Sequence, residues 1–151
     1  ITYDPLVPPA PDATFASDVV WFDAFTTNPD RTARNANMLE WHGQVWHIDH
    51  GAALFFHHSW ADVMTRAEDP FERIDQHVLL PFADDVRTAD GRARERLSRS
   101  VFEEVVSTIP DGWLELGYAD ETPDAVRSHY LEYLVKRLHG SAAFVEEAAR
   151  G

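Results

Sequence analysis

Between residues 28 and 51 the chain reads NPDRTARNANMLEWHGQVWHIDHG. The carboxylates Asp30, Glu40 and Asp49 stand there beside the amides Asn28, Asn35 and Asn37 and the imidazoles His42, His47 and His50. These are side chains that move protons and hold metal ions. Carboxylate and amide oxygens are hard donors suited to Mg²⁺, whereas imidazole suits zinc or manganese. Asp30 and Asn35 are five residues apart in a stretch of loop-forming residues, and Asp49-His50-Gly51 forms a D-x-G further on. A carboxylate on such a loop can take or orient the proton of an attacking hydroxyl. An asparagine oxygen and a second carboxylate can share a divalent cation. The plainer alternative is a polar loop before a two-stranded hairpin, with histidines that merely sit on its surface.

The elements around this stretch must bring its two halves together. Asp12 or Thr14 caps a predicted helix running to about Thr27, with Phe15, Val19, Phe22 and Phe25 or Thr26 as its apolar face. Asn28-Pro29-Asp30 stops it, because proline disfavours helical geometry in the residue before it. Runs at Met38 to Trp41 and Gln44 to Asp49, split by His42-Gly43, predict a hairpin with a two-residue turn. Glycine at position 51 would permit a backbone turn that a side chain resists. Residues 1–11 carry four prolines and read as an extended lead-in outside any element. The segment AALFFHHSW after Gly51 is apolar enough to be buried, and residues 59–80 read as short helices broken at Pro70 and closed at Pro81. A helix is expected from Ser98 with Val101, Val105 and Ile109 on one face. Another is expected from Thr122-Pro123, with Val126, Tyr130, Tyr133, Leu134 and Leu138 as its stripe until Gly140. Ala142 to Arg150 closes the chain. The expected class is α+β, mostly α, in a single domain over residues 1–151.

The order of a D-x-x-x-x-N loop, a hairpin and a D-x-G resembles the lower half of a protein-kinase-like phosphotransfer site. More narrowly, NPDRTARNANML followed by WHIDHGAALFF resembles the catalytic segment of HipA-like kinases, with a more distant similarity to phosphatidylinositol kinases. The helix FASDVVWFDAFTTN leading into the loop looks like theirs, so the resemblance covers about residues 15–58. It implies the C-lobe of a protein-kinase-like fold with ATP and Mg²⁺ as cofactors. Asp30 would be the catalytic base, Asn35 a Mg²⁺ ligand and Asp49 the main Mg²⁺ ligand, together carrying the nucleotide. The acceptor would be a serine or threonine hydroxyl of a protein, or a small alcohol. Thr32 stands where relatives often carry His, and Asn37 offers a second asparagine for the metal. Arg31 either holds the loop or a phosphate, or is a surface arginine.

A kinase also needs a glycine-rich loop and a strand lysine. The chain has no glycine-rich run, and its single lysine, Lys136, falls in a C-terminal helix. With Ile1 as its first residue, the chain is expected to be a C-lobe whose N-lobe was removed or comes from a separate chain, and to be inactive in isolation. A net charge of −13 argues against a nucleic-acid surface. No apolar run is long enough for a membrane span and no basic leader precedes one, so the expected compartment is the cytoplasm. The absence of cysteine excludes disulfides and thiolate metal sites. Two rival readings remain. One is a metallohydrolase using His47, Asp49, His50, His57 and His58; the other is a pseudokinase or partner-binding domain with no chemistry.

Overall fold

The computed structural model describes residues 1–58, 62–115 and 121–150, with the side chains of residues 57 and 58 left outside. It is α+β and mostly helical. Helix α1 (Ala13–Phe25) starts at Asp12, whose carboxylate accepts the Phe15 amide at 2.9 Å. It ends two residues earlier than expected, because the amides of Thr27 and Asn28 turn back to the carbonyls of Ala24 and Asp23. Thr27 takes φ 53° at the position where glycine usually terminates a helix.

The hairpin forms with the expected turn, but its second strand stops at His47, two residues short of Asp49. Strands β1 (Met38–Trp41) and β2 (Gln44–His47) pair antiparallel, with Met38 opposite His47 and Trp41 opposite Gln44. His42 and Gly43 both have positive φ, the mirror-image turn whose twist matches that of two-residue hairpins. The lead-in does more than expected. Tyr3 donates to the Met38 carbonyl, and Glu40 donates to that of Ile1, so residues 1–3 line the free edge of β1.

The helices α2 (Val63–Arg66), α3 (Val86–Arg96), α4 (Arg99–Ser107), α5 (Asp111–Leu114), α6 (Pro123–His139) and α7 (Ala142–Ala148) follow. Short 3₁₀ turns at Phe55–His58, Glu72–Gln76 and Leu80–Phe82 connect them, with Pro81 inside the last turn and not beyond it. Helix α6 has the predicted cap, Thr122 accepting the Ala125 amide, and buries Val126, Tyr133, Leu134 and Leu138.

Two predicted faces are corrected. In α4 the buried residues are Phe102 and Val106, while Val105 is 53% exposed, because the helix turns its aromatic residue onto Phe25. In α1, Phe22 is largely exposed, and Val19, Val20, Trp21, Asp23, Ala24 and Phe25 are buried. α1 is enclosed by α3, α7 and the 3₁₀ turns, so no single stripe describes it. Trp21, Phe25, Phe102 and Phe144 form the aromatic centre of the core. In the segment after Gly51, Phe56 is buried but Phe55 is exposed, and residues 59–61 lie outside the described residues.

Arg137 on α6 ties the helices together. It is fully buried, and its guanidinium donates to the carbonyls of Ala24 and Phe25 at the end of α1 and of Ala67 and Asp69 after α2. Those carbonyls lie at or just past the negative C-terminal ends of α1 and α2, so the cation is held by backbone oxygens. Its plane also lies 4.6 Å from the Phe144 ring centroid.

Candidate functional site

The loop from Asn28 to Asn37 rests on a carboxylate that the sequence reading passed over. Asp23, in the last turn of α1, has no exposed surface. It accepts hydrogen bonds from Asn28 Nδ2 at 3.0 Å, from Arg31 Nε and from His77 Nε2 at 2.9 Å. The Leu79 amide donates to His77 Nδ1, so the ring carries its proton on Nε2 and gives it to Asp23. Burial pushes the Asp23 carboxyl up, but the bonds from His77 and Arg31 and the Arg31 charge outweigh it and hold it below the usual carboxylate range. A carboxylate amid the apolar residues of α1 was the available signal, because a buried charge requires a partner.

Arg31 is buried at 1% exposure, which excludes the surface-arginine reading. From Asp23 its guanidinium reaches across the loop to the carbonyl of Asn37 at 2.6 Å and that of Ala36 at 3.3 Å. It clamps both ends of the loop. The backbone completes the hold. Thr32 and Asn35 exchange hydrogen bonds, the Val78 amide donates to the Arg31 carbonyl, and the Ile48 amide donates to the Asn37 carbonyl. The last of these ties the loop to the end of the hairpin, immediately before Asp49. Asn37 itself is buried, with φ 49°, and serves the loop through its backbone.

Asp30, Asn35 and Asp49 are all exposed on this locked frame. Their side-chain oxygens accept no hydrogen bond from another described residue, so three hard oxygen donors face solvent on backbone fixed from beneath. Carboxylate and amide oxygens are the ligand type that Mg²⁺ takes, few at a time and with several waters retained. The D-x-G is built differently from expectation. Gly51 is outside the left-handed region, and a Cβ there would meet only Asp49 Oδ1 at 3.6 Å. Asp49 itself takes the turn, at φ 53°, a conformation that aspartate tolerates better than most residues.

His47 belongs to the core side of the hairpin. Its ring stacks on Phe15 at 5.7 Å, and its Nε2 is buried with no hydrogen-bond partner. Burial, then the neighbouring Arg31 charge, push its pKa down to about 4. It is packed as an apolar ring. His50 is exposed and meets Phe22 edge-on, and the side chains of His57 and His58 lie outside the described residues. Among the described residues no group of three or more His, Cys, Asp or Glu side chains gathers closely enough to hold a metal ion. No helix among them is long and apolar enough to cross a membrane.

Comparison with protein-family models, with curated proteins and with solved structures found no match.

Proposed function

We propose that this chain is the C-lobe part of an ATP-dependent, HipA-like kinase that transfers a phosphoryl group to a hydroxyl. The observation that carries the reading is the frame just described. A buried Asp23–Arg31–His77 cluster fixes a loop that exposes Asp30 and Asn35, and a backbone bond joins that loop to the strand end that exposes Asp49. Phosphoryl transfer asks little covalent chemistry of a protein; it asks for groups held rigidly where charge and protons move. In this reading Asp30 accepts or orients the proton of the acceptor hydroxyl. Asn35 and Asp49 would hold Mg²⁺, which with ATP supplies charge neutralisation at the phosphates.

The exposed face of the hairpin supports a missing upper half. Pairing of Leu39 with Trp46 puts Leu39, Trp41, Trp46 and Ile48 on one face, with both tryptophans more than half exposed. Such a patch marks a surface that something covers. A nucleotide and an N-lobe bearing the glycine-rich loop and lysine would cover it, whether encoded with this chain or supplied by another.

The test separates the two carboxylates. The 151-residue chain alone should show no ATP-dependent phosphate transfer above background. In a form that contains the glycine-rich loop and lysine, Asp30→Asn should leave Mg²⁺-ATP binding intact and slow transfer by about 10²–10⁴-fold, the usual contribution of a positioned base. Asp49→Ala should weaken Mg²⁺-ATP binding itself. Full activity in Asp30→Asn would reduce Asp30 to a turn residue and end the reading.

A further inference from the structure

Beside the loop lies a cleft of about 400 Å³ that the phosphotransfer reading does not use. Its wall begins at Thr27 and Pro29, one residue before Asp30, and continues through Gly51 and Ala52, just after Asp49. Phe55, Phe56, Phe71 and Tyr133 make its apolar surface. The cleft therefore opens against both segments that carry the candidate phosphotransfer residues.

Its charge is unlike that of the molecule. The chain carries a net charge of −13, yet Arg66, Arg73 and Arg137 all line this cleft, against a single carboxylate, Asp69. Most cations here are neutralised: Arg31, Arg87, Arg92, Arg94, Arg99, Arg127, Lys136 and Arg150 each pair with a carboxylate. Arg66 and Arg73 are exposed and form no ion pair among the described residues. Arg137 satisfies its donors on carbonyls, and Asp69, the one carboxylate of the cleft, acts on its charge without forming an ion pair with it. In an acidic protein, a concave site that collects unpaired guanidinium groups is set up for an anion. Guanidinium is also the side chain best shaped to receive a carboxylate through two parallel bonds.

We infer that the cleft binds the acceptor, and that the acceptor is an acidic polypeptide segment: a serine or threonine hydroxyl flanked by carboxylate side chains. This rests on the kinase reading for the role of the bound hydroxyl. The volume lies in the range of ligand sites and exceeds what a single small hydroxy acid fills. The aromatic lining suits an apolar residue next to the acidic ones, with Arg66 and Arg73 at the rim and the hydroxyl directed along Pro29 toward Asp30.

Binding can be tested without turnover. The 151-residue chain is titrated with a fluorescein-labelled serine peptide flanked by glutamates, with the same peptide carrying glutamine in their place, and with free serine as competitor. The glutamate peptide should bind at least about tenfold tighter than the glutamine peptide, and more weakly as salt is raised. Both Arg66 and Arg73 are exposed, so Arg66→Gln with Arg73→Gln should leave the fold intact and remove most of that preference. Arg96→Gln, at a distant unpaired arginine, should not. Equal affinity for the two peptides, an unchanged preference in the double variant, or displacement by free serine at equal concentration would each overturn the inference. Failure of this inference alone would show as phosphate transfer by the complete enzyme with no glutamate preference. Failure of the kinase reading would show as glutamate-dependent binding with no transfer.

Discussion

His47 should make the protein sensitive to mild acid. Its imidazole is pushed down to about 4 by burial and by Arg31, while in the unfolded chain it titrates near 6.5. Between those values the unfolded chain binds a proton that the folded chain refuses, so stability falls as pH falls. The contribution is complete above about 6.5 and fully lost below about 4. At about 1.4 kcal/mol per pH unit the gap is worth about 3 kcal/mol, and screening of a ring that is only partly buried brings the expected loss to about 2 kcal/mol. Urea unfolding followed by far-UV circular dichroism, between about pH 7.5 and about pH 4.5, reads this directly. Other groups titrate in the same window, so the quantity to compare is the difference between the wild type and His47→Leu. Leucine has nearly the same volume, can keep the contact with Phe15 and has nothing to protonate. The variant should match or exceed wild-type stability near neutrality, where it removes an unpartnered buried nitrogen, and should lose about 2 kcal/mol less on acidification. Parallel curves for the two proteins, or a His47 ring that titrates near its ordinary value by NMR, would refute the reasoning.

Three further comparisons probe the frame. Asp23→Asn leaves Arg31 buried without its counter-charge and should cost about 3 kcal/mol, lowering Tm by about 6–12 °C; a variant within ~1 kcal/mol of wild type in urea melts would mean the loop is held by backbone alone. Arg137→Lys keeps the charge but cannot reach four carbonyls on two helix ends, so thermal melts should show nearly as large a loss as Arg137→Met, and a wild-type Tm for the lysine variant would defeat the fork argument. Gly51→Ala should be tolerated within about 0.5 kcal/mol, whereas Gly43→Val, at φ 73°, should cost about 1–2 kcal/mol in the same measurement; the reverse order would place the D-x-G turn at the glycine after all.

The sequence made some elements plain because their signals are local. Thr122 caps the helix it was expected to cap, Asp12 proves to be the cap of the two offered for α1, Ser98 caps the helix it was expected to begin, and His42-Gly43 turns the hairpin, since each signal is complete within a few residues. Faces were harder. Val105 and Phe22 stood at ordinary helical spacing and proved exposed, because which side of a helix is buried depends on neighbours that arrive from far along the chain. Helix α3 was not singled out at all: it buries only Val86 and Ala89, and its cap at Asp85 is the one strong mark it carries. The order of motifs and the family resemblance put forward Asp30, Asn35 and Asp49 as candidates, but the buried support beneath them was not visible in the sequence. His77 is 54 residues from the Asp23 it bonds, and Arg137 more than 100 from the α1 carbonyls it caps. No periodicity carries that information.

Where the backbone is strained also bears on function. Five of the six described non-glycine residues with positive φ, Thr27, Asn37, His42, Asp49 and Leu54, lie within the loop, the hairpin or their immediate flanks; the sixth, Asp62, precedes α2. Each departure costs roughly 1–2 kcal/mol for a residue with a side chain, and the branched Thr27 and Leu54 have the least excuse. A polar loop with no task could relieve much of this with glycine at the same positions. Here the cost is instead balanced by buried hydrogen bonds: Asp23 to three donors, Arg31 to two carbonyls, and the Leu54 amide to the carbonyl of Thr26. The strain and these bonds meet at Asn37 and Leu54, and the bonds hold the backbone on either side of Asp30 and Asn35. Rigid placement of exposed oxygen donors does little for stability and much for a reaction that depends on where charge is held.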